Sequence, residues 1–300
     1  MILNRANLQA VTKSLRAVFM DALSKLPDDQ LYKKLAMIIP SSNPEETLSW
    51  LGELPFVKEW KDERVIELLS QFDYTIRKKD FEATIGVRRD DVMFDRLNLV
   101  APRVRQLVNA GVEHYLNIAL EVLKNGETEK CYDGKALFST THPGKTNQSN
   151  LFVYKLCAKA YGFVRTKMRS LKTYSGRPMN VNPTHLIVPP ALEDTAREIL
   201  LSEKISDNTN IYRNTAEILV IPQLTSDAEW YLAELNRAEV KPFVIQLVKK
   251  YEESFTTFDS PDDERVFMKK EYIYGIDGML NAAPMFWQLI AKGQGSTDIS

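Results

Sequence analysis

Cys131, Asp133, Ser139, Thr140, Thr141 and His142 all fall within one stretch, KCYDGKALFSTTHPGK, which runs from Lys130 to Lys145. A thiol beside a lysine, with an imidazole close in sequence, is the raw material of a cysteine nucleophile. The cation depresses the thiol pKa and the imidazole takes up the proton. Cysteine, histidine and aspartate are also metal ligands. Catalysis, however, needs the base within hydrogen-bond reach of the thiol, and nearness in sequence does not supply that. Asp133-Gly134 and His142-Pro143-Gly144 are turn signals, while Tyr132, Leu137 and Phe138 are able to pack. The stretch therefore reads as a structural connector, with Cys131 an unreactive thiol and His142 a loop residue hydrogen-bonded locally.

Other constellations weaken in the same way. The cysteines are only Cys131 and Cys157, which argues against a disulfide scaffold and fits a reducing compartment. His114, His142 and His185 lie far apart and belong to no metal-ligand spacing, so neither a zinc site nor any cofactor is expected. YGIDGMLNAAP has the small residues of a phosphate loop but lacks the G-K-[ST] that would follow. GRPMNVNP, which contains Arg177, reads as a loop. In RRDDV, Arg88 and Arg89 neutralise Asp90 and Asp91, which suits a helix start or an ion pair with another chain.

At 300 residues the chain can bury a sizeable core. Its 39 basic and 40 acidic residues leave a net charge of -1, so no global field draws it to nucleic acid or to an anionic membrane. No run approaches the roughly 20 apolar residues of a membrane span. Residues 1–20 carry Arg5, Lys13 and Arg16 and no acid, as a transit peptide would. Yet Leu8, Val11, Leu15, Val18, Phe19, Ala22 and Leu26 keep helical spacing past Asp21, which indicates an ordinary amphipathic helix.

These residues need elements to hold them. Alternation at Phe72, Tyr74 and Ile76, and again at Phe81, Ala83, Ile85 and Val87, predicts strands, with Phe56 to Trp60 as a partner strand. Residues 50–88 then form a two-stranded excursion, which is marginal in water without a partner surface. Helical rhythm from Val100 to Leu123 predicts one long helix from about Leu99 to Lys124, with Pro102 in its first turn and Asn125-Gly126 as its stop. NLFVYKLCAKAYGFVRTKMRSLK reads as a second long helix. PTHLIVPP, AEILVIPQL and EWYLAEL read as strands around the helix ALEDTAREILLSE, giving an α/β unit over about 128–240. KPFVIQLVKKYEE and ERVFMKKEYIYGIDGML return as strands, and GQGSTDIS reads as a loose tail. The class is α+β.

The order of SWLGELPFVKEW, YTIRKKDFEATIGVRRDDV, CYDGKALFSTTHP and YIYGIDGMLNAAPMFWQL resembles the major head subunit family of Mu-like phages and prophages. That resemblance implies the Hong Kong 97-type capsid fold. It implies an N-terminal arm (1–49), an extended loop hairpin (50–88) and a peripheral domain with a long spine helix (89–127). An axial α/β domain (128–240), peripheral return strands (241–290) and a flexible tail (291–300) complete the layout. The function implied is a non-enzymatic major capsid protein that self-assembles into hexamers and pentamers of an icosahedral shell around double-stranded DNA. Copies of itself and non-specifically held DNA are the implied partners, with a scaffold or protease, a portal, a decoration protein and no membrane. The implied location is the virion capsid, assembled in the bacterial host cytoplasm. Trp50, Phe56 and Trp60 are then anchors on a neighbouring subunit, and Lys58, Glu59, Lys61, Asp62, Glu63 and Arg64 set its register. Arg5, Lys13 and Arg16 are the candidates for contact with DNA on the inner face. The alternatives are an encapsulin-like shell around protein cargo and an enzyme using Cys131 and His142.

Overall fold

The computed structural model describes residues 5–27, 30–48, 74–93, 97–144, 146–173, 176–205, 207–238, 240–258 and 264–299. Helix α1 (Arg5–Ser24) and the short α2 (Leu31–Leu35) lead into β1 (Ala36–Pro40), β2 (Glu45–Thr47), β3 (Thr75–Arg77) and β4 (Lys79–Arg88). A short α3 (Arg89–Met93) precedes the long α4 (Leu97–Lys124). Then come β5 (Leu151–Tyr154), α5 (Ala158–Arg169), β6 (His185–Val188) and α6 (Glu193–Leu201). The small strands β7 (Lys204–Ile205) and β8 (Asn208–Thr209) precede β9 (Glu217–Val220) and β10 (Trp230–Ala233). The chain closes with β11 (Phe243–Lys249), β12 (Thr256–Phe258), α7 (Glu264–Lys269), β13 (Glu271–Pro284) and β14 (Ile290–Thr297).

The periodicity of α4 dictates the first half of the core. Val104, Leu107, Val108, Tyr115, Ile118, Ala119, Val122 and Leu123 are buried on it, and at about 1.5 Å per residue the helix spans about 42 Å. Helix α1 lays Val11, Leu15 and Phe19 against α4, and Phe19 stacks on Phe255 with ring centroids 4.7 Å apart. The other side of α4 rests on a sheet built around β13, whose residues alternate between buried and half-buried over most of its length. One edge of β13 pairs antiparallel with β4; the opposite edge takes β12 and then β11, with β1 parallel beyond β11. Gly278 of β13 lets the Tyr251 ring lie flat on the strand, where a Cβ would stand 2.6 Å from it. YGIDGML is therefore sheet core and not a phosphate loop.

The second sheet runs β5-β14-β10-β6-β9, with β6 and β9 parallel and joined through α6. Every residue of β6 and β10 is buried.

Four expectations need correction. The tail is not loose: β14 lies in the middle of the second sheet, antiparallel to β10 and parallel to β5. Its polar letters misled because they serve packing. Gly293 makes room for the Trp230 indole, Gly295 has φ +69° against Ala228, and Lys292 is buried in an ion-pair network. The helix expected from Asn150 begins only at Ala158, because the run Leu-Phe-Val-Tyr suits the strand β5 and the Cys157 sulfur caps the helix by accepting from the Ala160 N–H. ERVFMK is helix rather than strand. Finally, β3 pairs with β2 and β4 pairs with β13, while Phe56 to Trp60 lie outside the described residues.

Two changes to β14 check its place. Truncation after Leu289 is expected to abolish the cooperative unfolding transition in urea. Gly293→Ala, which sets a Cβ on Trp230, is expected to lower stability by about 2 kcal/mol.

Candidate functional site at the junction of the sheets

The two sheets are joined where β13 ends at Pro284 and β14 begins at Ile290. The chemistry-bearing connector after α4 wraps this crossover. Gly134, at φ +77°, and the Asp133 carboxylate, which accepts from the Lys135 N–H at 3.0 Å, fold its first part into a tight turn. His142 and Gln148 exchange backbone hydrogen bonds of 2.9 and 3.1 Å and close a second turn that brings Asn150 back beneath the imidazole.

Asn150 is the hub. It is 1% exposed, and its amide Nδ2 donates to the carbonyls of Leu137 (2.8 Å), Trp287 (3.1 Å) and Ile290 (3.0 Å). Those three acceptors fix the amide orientation, so Oδ1 is the acceptor. It takes the Ser139 N–H at 2.9 Å and His142 Nε2 at 3.0 Å. His142 Nε2 therefore donates to Oδ1, and Nδ1 lies in hydrogen-bond contact with Asp133 Oδ2 at 2.6 Å. The imidazole lies flat on Trp287, with ring centroids 3.8 Å apart and planes within 3°. His142 is thus the loop residue, hydrogen-bonded within its own connector, that was expected; its full burial and its stacking on the crossover are what the sequence did not show.

Cys131 grips the same segment. Its Sγ donates to the Met285 carbonyl at 3.1 Å, and burial, with the Asp133 charge in support, pushes its pKa far up. The Tyr132 hydroxyl accepts from Gln288 Nε2 at 2.7 Å. Further along, Lys292 Nζ bridges Glu127 at 2.8 Å and Glu229 at 2.7 Å, tying the end of α4 to β14 and the approach to β10.

A nucleophile needs a thiolate and a free base. Here the thiol is held protonated and both imidazole nitrogens are occupied by Asp133 and Asn150, so the cluster can fix the chain but cannot pass a proton to or from Cys131. No group of three or more metal-ligating side chains occurs among the described residues, and no helix among them is long and apolar enough to cross a membrane.

Of the interface candidates, Trp50, Phe56, Lys58, Glu59, Trp60, Lys61, Asp62, Glu63 and Arg64 lie outside the described residues. Arg5, Lys13 and Arg16 lie on α1; Lys13 and Arg16 are exposed, and Arg16 reaches the Phe255 carbonyl at 3.4 Å. The sequence reading missed Asn150, Trp287 and the Lys292 network. The one signal was a lone lysine inside the apolar run QLIAKG, which a buried cation must answer with carboxylates.

The chain matches the family model described as Mu-like prophage major head subunit gpT over residues 8–155, 153–224 and 225–298. It belongs to that family. The major capsid protein of Escherichia phage Mu is 28% identical over 295 residues, covering 98% of this chain and 76% of the phage protein. The Mu-like prophage FluMu major head subunit of Haemophilus influenzae is 24% identical, covering 90% of this chain and 68% of its own length. The procapsid of bacteriophage JBD30 superposes with a TM-score of 0.64 at 28% identity, over 99% of this chain and 77% of that one. This Mu-like head subunit accordingly has the Hong Kong 97-type fold and is a phage major capsid protein that associates with itself in the virion shell. Neither the cargo-shell nor the thiol-enzyme alternative is favoured by these relatives.

The cluster makes two measurable demands. Asn150→Ala strips donors from three buried carbonyls and is expected to cost about 3 kcal/mol in urea denaturation. In native protein, iodoacetamide is expected to alkylate the half-buried Cys157 while sparing Cys131, which reacts only after unfolding.

Proposed function

We propose that this head subunit builds hexamers and pentamers of an icosahedral shell that encloses double-stranded DNA, and that it does so without catalysis. The observation that carries this reading is the likeness to the JBD30 procapsid over nearly the whole chain. Support for the absence of catalysis comes from the junction, where the protonated Cys131 thiol and the doubly engaged His142 leave no nucleophile. Residues 1–49 act as the arm, 50–88 as the extended loop and 89–127, with α4, as the spine of the peripheral domain. Residues 128–240 form the axial domain and 241–289 the peripheral return strands; β14 belongs with the axial sheet.

In an assembled shell, Trp50, Phe56 and Trp60 bury against a neighbour, each contributing on the order of a kcal/mol or more at about 25 cal/mol per Å2. Lys58, Glu59, Lys61, Asp62, Glu63 and Arg64 set register there through charge pairs that are individually weak. Arg5, Lys13 and Arg16 of α1 are the residues that contact the enclosed DNA on the inner face. Assembly takes place in the bacterial host cytoplasm with a scaffold or protease, a portal and a decoration protein.

Electron microscopy of the purified chain is expected to show closed shells or ring-shaped capsomers. Deleting residues 53–70 is expected to abolish shells while leaving a folded monomer by circular dichroism. Shells formed by the deletion variant would remove the loop from assembly.

A further inference from the structure

The chain passes from the second sheet back to the first through residues 234–242, between β10 and β11. One run of hydrogen bonds ties this passage down. Lys241 Nζ donates to the Leu235 carbonyl at 2.5 Å, and the Leu235 N–H donates to Thr184 Oγ1 at 3.0 Å. Thr184 Oγ1 in turn lies 2.9 Å from Nδ1 of His185, the first residue of β6. Both ends of the run are basic and buried: the His185 side chain is 4% exposed and Lys241 is 9% exposed. The passage also abuts the crossover, since the Pro242 carbonyl accepts from the Met285 and Phe286 N–H groups.

Charged groups reach His185 from the elements around it. On β9, Glu217 Oε2 lies 3.4 Å from Nε2; α2 brings the Lys34 charge and the passage brings that of Lys241. On β10 the residue opposite His185 is Ala233, and Glu234 beyond it is paired with Arg237. Burial has the largest influence and, with the two lysines, holds the His185 pKa below its ordinary 6.5. Glu217 pulls the other way, but its carboxylate is 73% exposed and screened by water.

We infer that His185 is an acid-sensitive latch, whose protonation loosens the passage over residues 234–241. A carboxylate only accepts, so the tautomer that fits the site carries its hydrogen on Nε2, toward Glu217, and accepts the Thr184 hydroxyl at Nδ1. A proton taken from solvent onto Nδ1 turns that acceptor into a donor. Thr184 Oγ1 then faces two donors, Nδ1–H and the Leu235 N–H. Its own hydrogen is left with the Ala233 carbonyl at 3.5 Å, which already accepts from the Thr184 N–H at 2.8 Å. The new charge also stands near Lys34 and Lys241, at the two places where the arm and the passage meet the second sheet. A histidine whose pKa is lowered by folding supports the structure above pH 6.5, and that support is lost as the pH falls toward the folded value.

The test is hydrogen exchange of the full-length, unassembled protein at steps from about pH 7.5 to about pH 5.5, so it does not depend on what a shell encloses. It is read by mass spectrometry on peptides covering 234–241 and corrected for the intrinsic pH dependence of exchange. The parent protein is expected to lose protection there by at least about threefold as the pH falls. His185→Gln, which cannot take up the proton, is expected to be equally protected at both ends of the range. Two charge variants outside the hydrogen-bond run keep the test sound if that one fails to fold. Glu217→Gln is expected to move the midpoint of the loss to lower pH and Lys34→Gln to move it to higher pH, shifts of opposite sign that a merely structural histidine would not give. Protection independent of pH in the parent, a loss that His185→Gln retains, or an unmoved midpoint in both charge variants would each overturn the inference.

Discussion

The side-chain amide of Asn150 is the constraint on which the molecule depends. Three carbonyls from two chain segments, Leu137 on one side and Trp287 and Ile290 on the other, converge on one Nδ2 group. Buried carbonyls without donors are costly, so the connector and the crossover have to meet. That meeting fixes where β14 enters the second sheet, and β14 in turn separates β5 from β10. His142, Asp133 and Trp287 then close the site by stacking and by hydrogen bonding, and Lys292 repeats the same bridging with charges.

The consequence for a shell subunit is mechanical. A capsid protein bears load across its domains, and here the last passage of the chain between the two sheets, from Pro284 of β13 to Ile290 of β14, is only a few residues long. Polar contacts at that crossover are directional, whereas apolar packing alone would allow sliding. The long helix α4 feeds the same point, since Glu127, just past its end, holds Lys292. Helix α4 and both sheets thus meet through these junction residues.

Much of this architecture was legible because period and turn chemistry are local properties. The α4 stripe, the apolar strands HLIV and FVIQLVK, and the turns at Asp133-Gly134 and Pro143-Gly144 follow from neighbours in sequence. The corrected places depend on distant partners. Leu151–Tyr154 is a strand because β14 lies beside it, and β14 is a strand because β10 and Trp230 surround it. The role of Asn150 depends on carbonyls 137 and 140 residues away, which no pattern in the sequence brings together. The stretch from Lys130 to Lys145 was read correctly as structural. What the sequence concealed was that its reactive letters are buried anchors and not turn dressing.

Hydrogen exchange at the crossover tests the central claim most directly. The amides of Ser139, Met285 and Lys292 are bonded to Asn150 Oδ1, the Pro242 carbonyl and the Asn150 carbonyl. If the junction joins both sheets into one cooperative unit, these amides exchange only through global unfolding, with the same free energy as Leu280 in β13 and Leu232 in β10. Exchange several orders of magnitude faster at the crossover than in either sheet would show that the junction opens by itself, and would contradict the account.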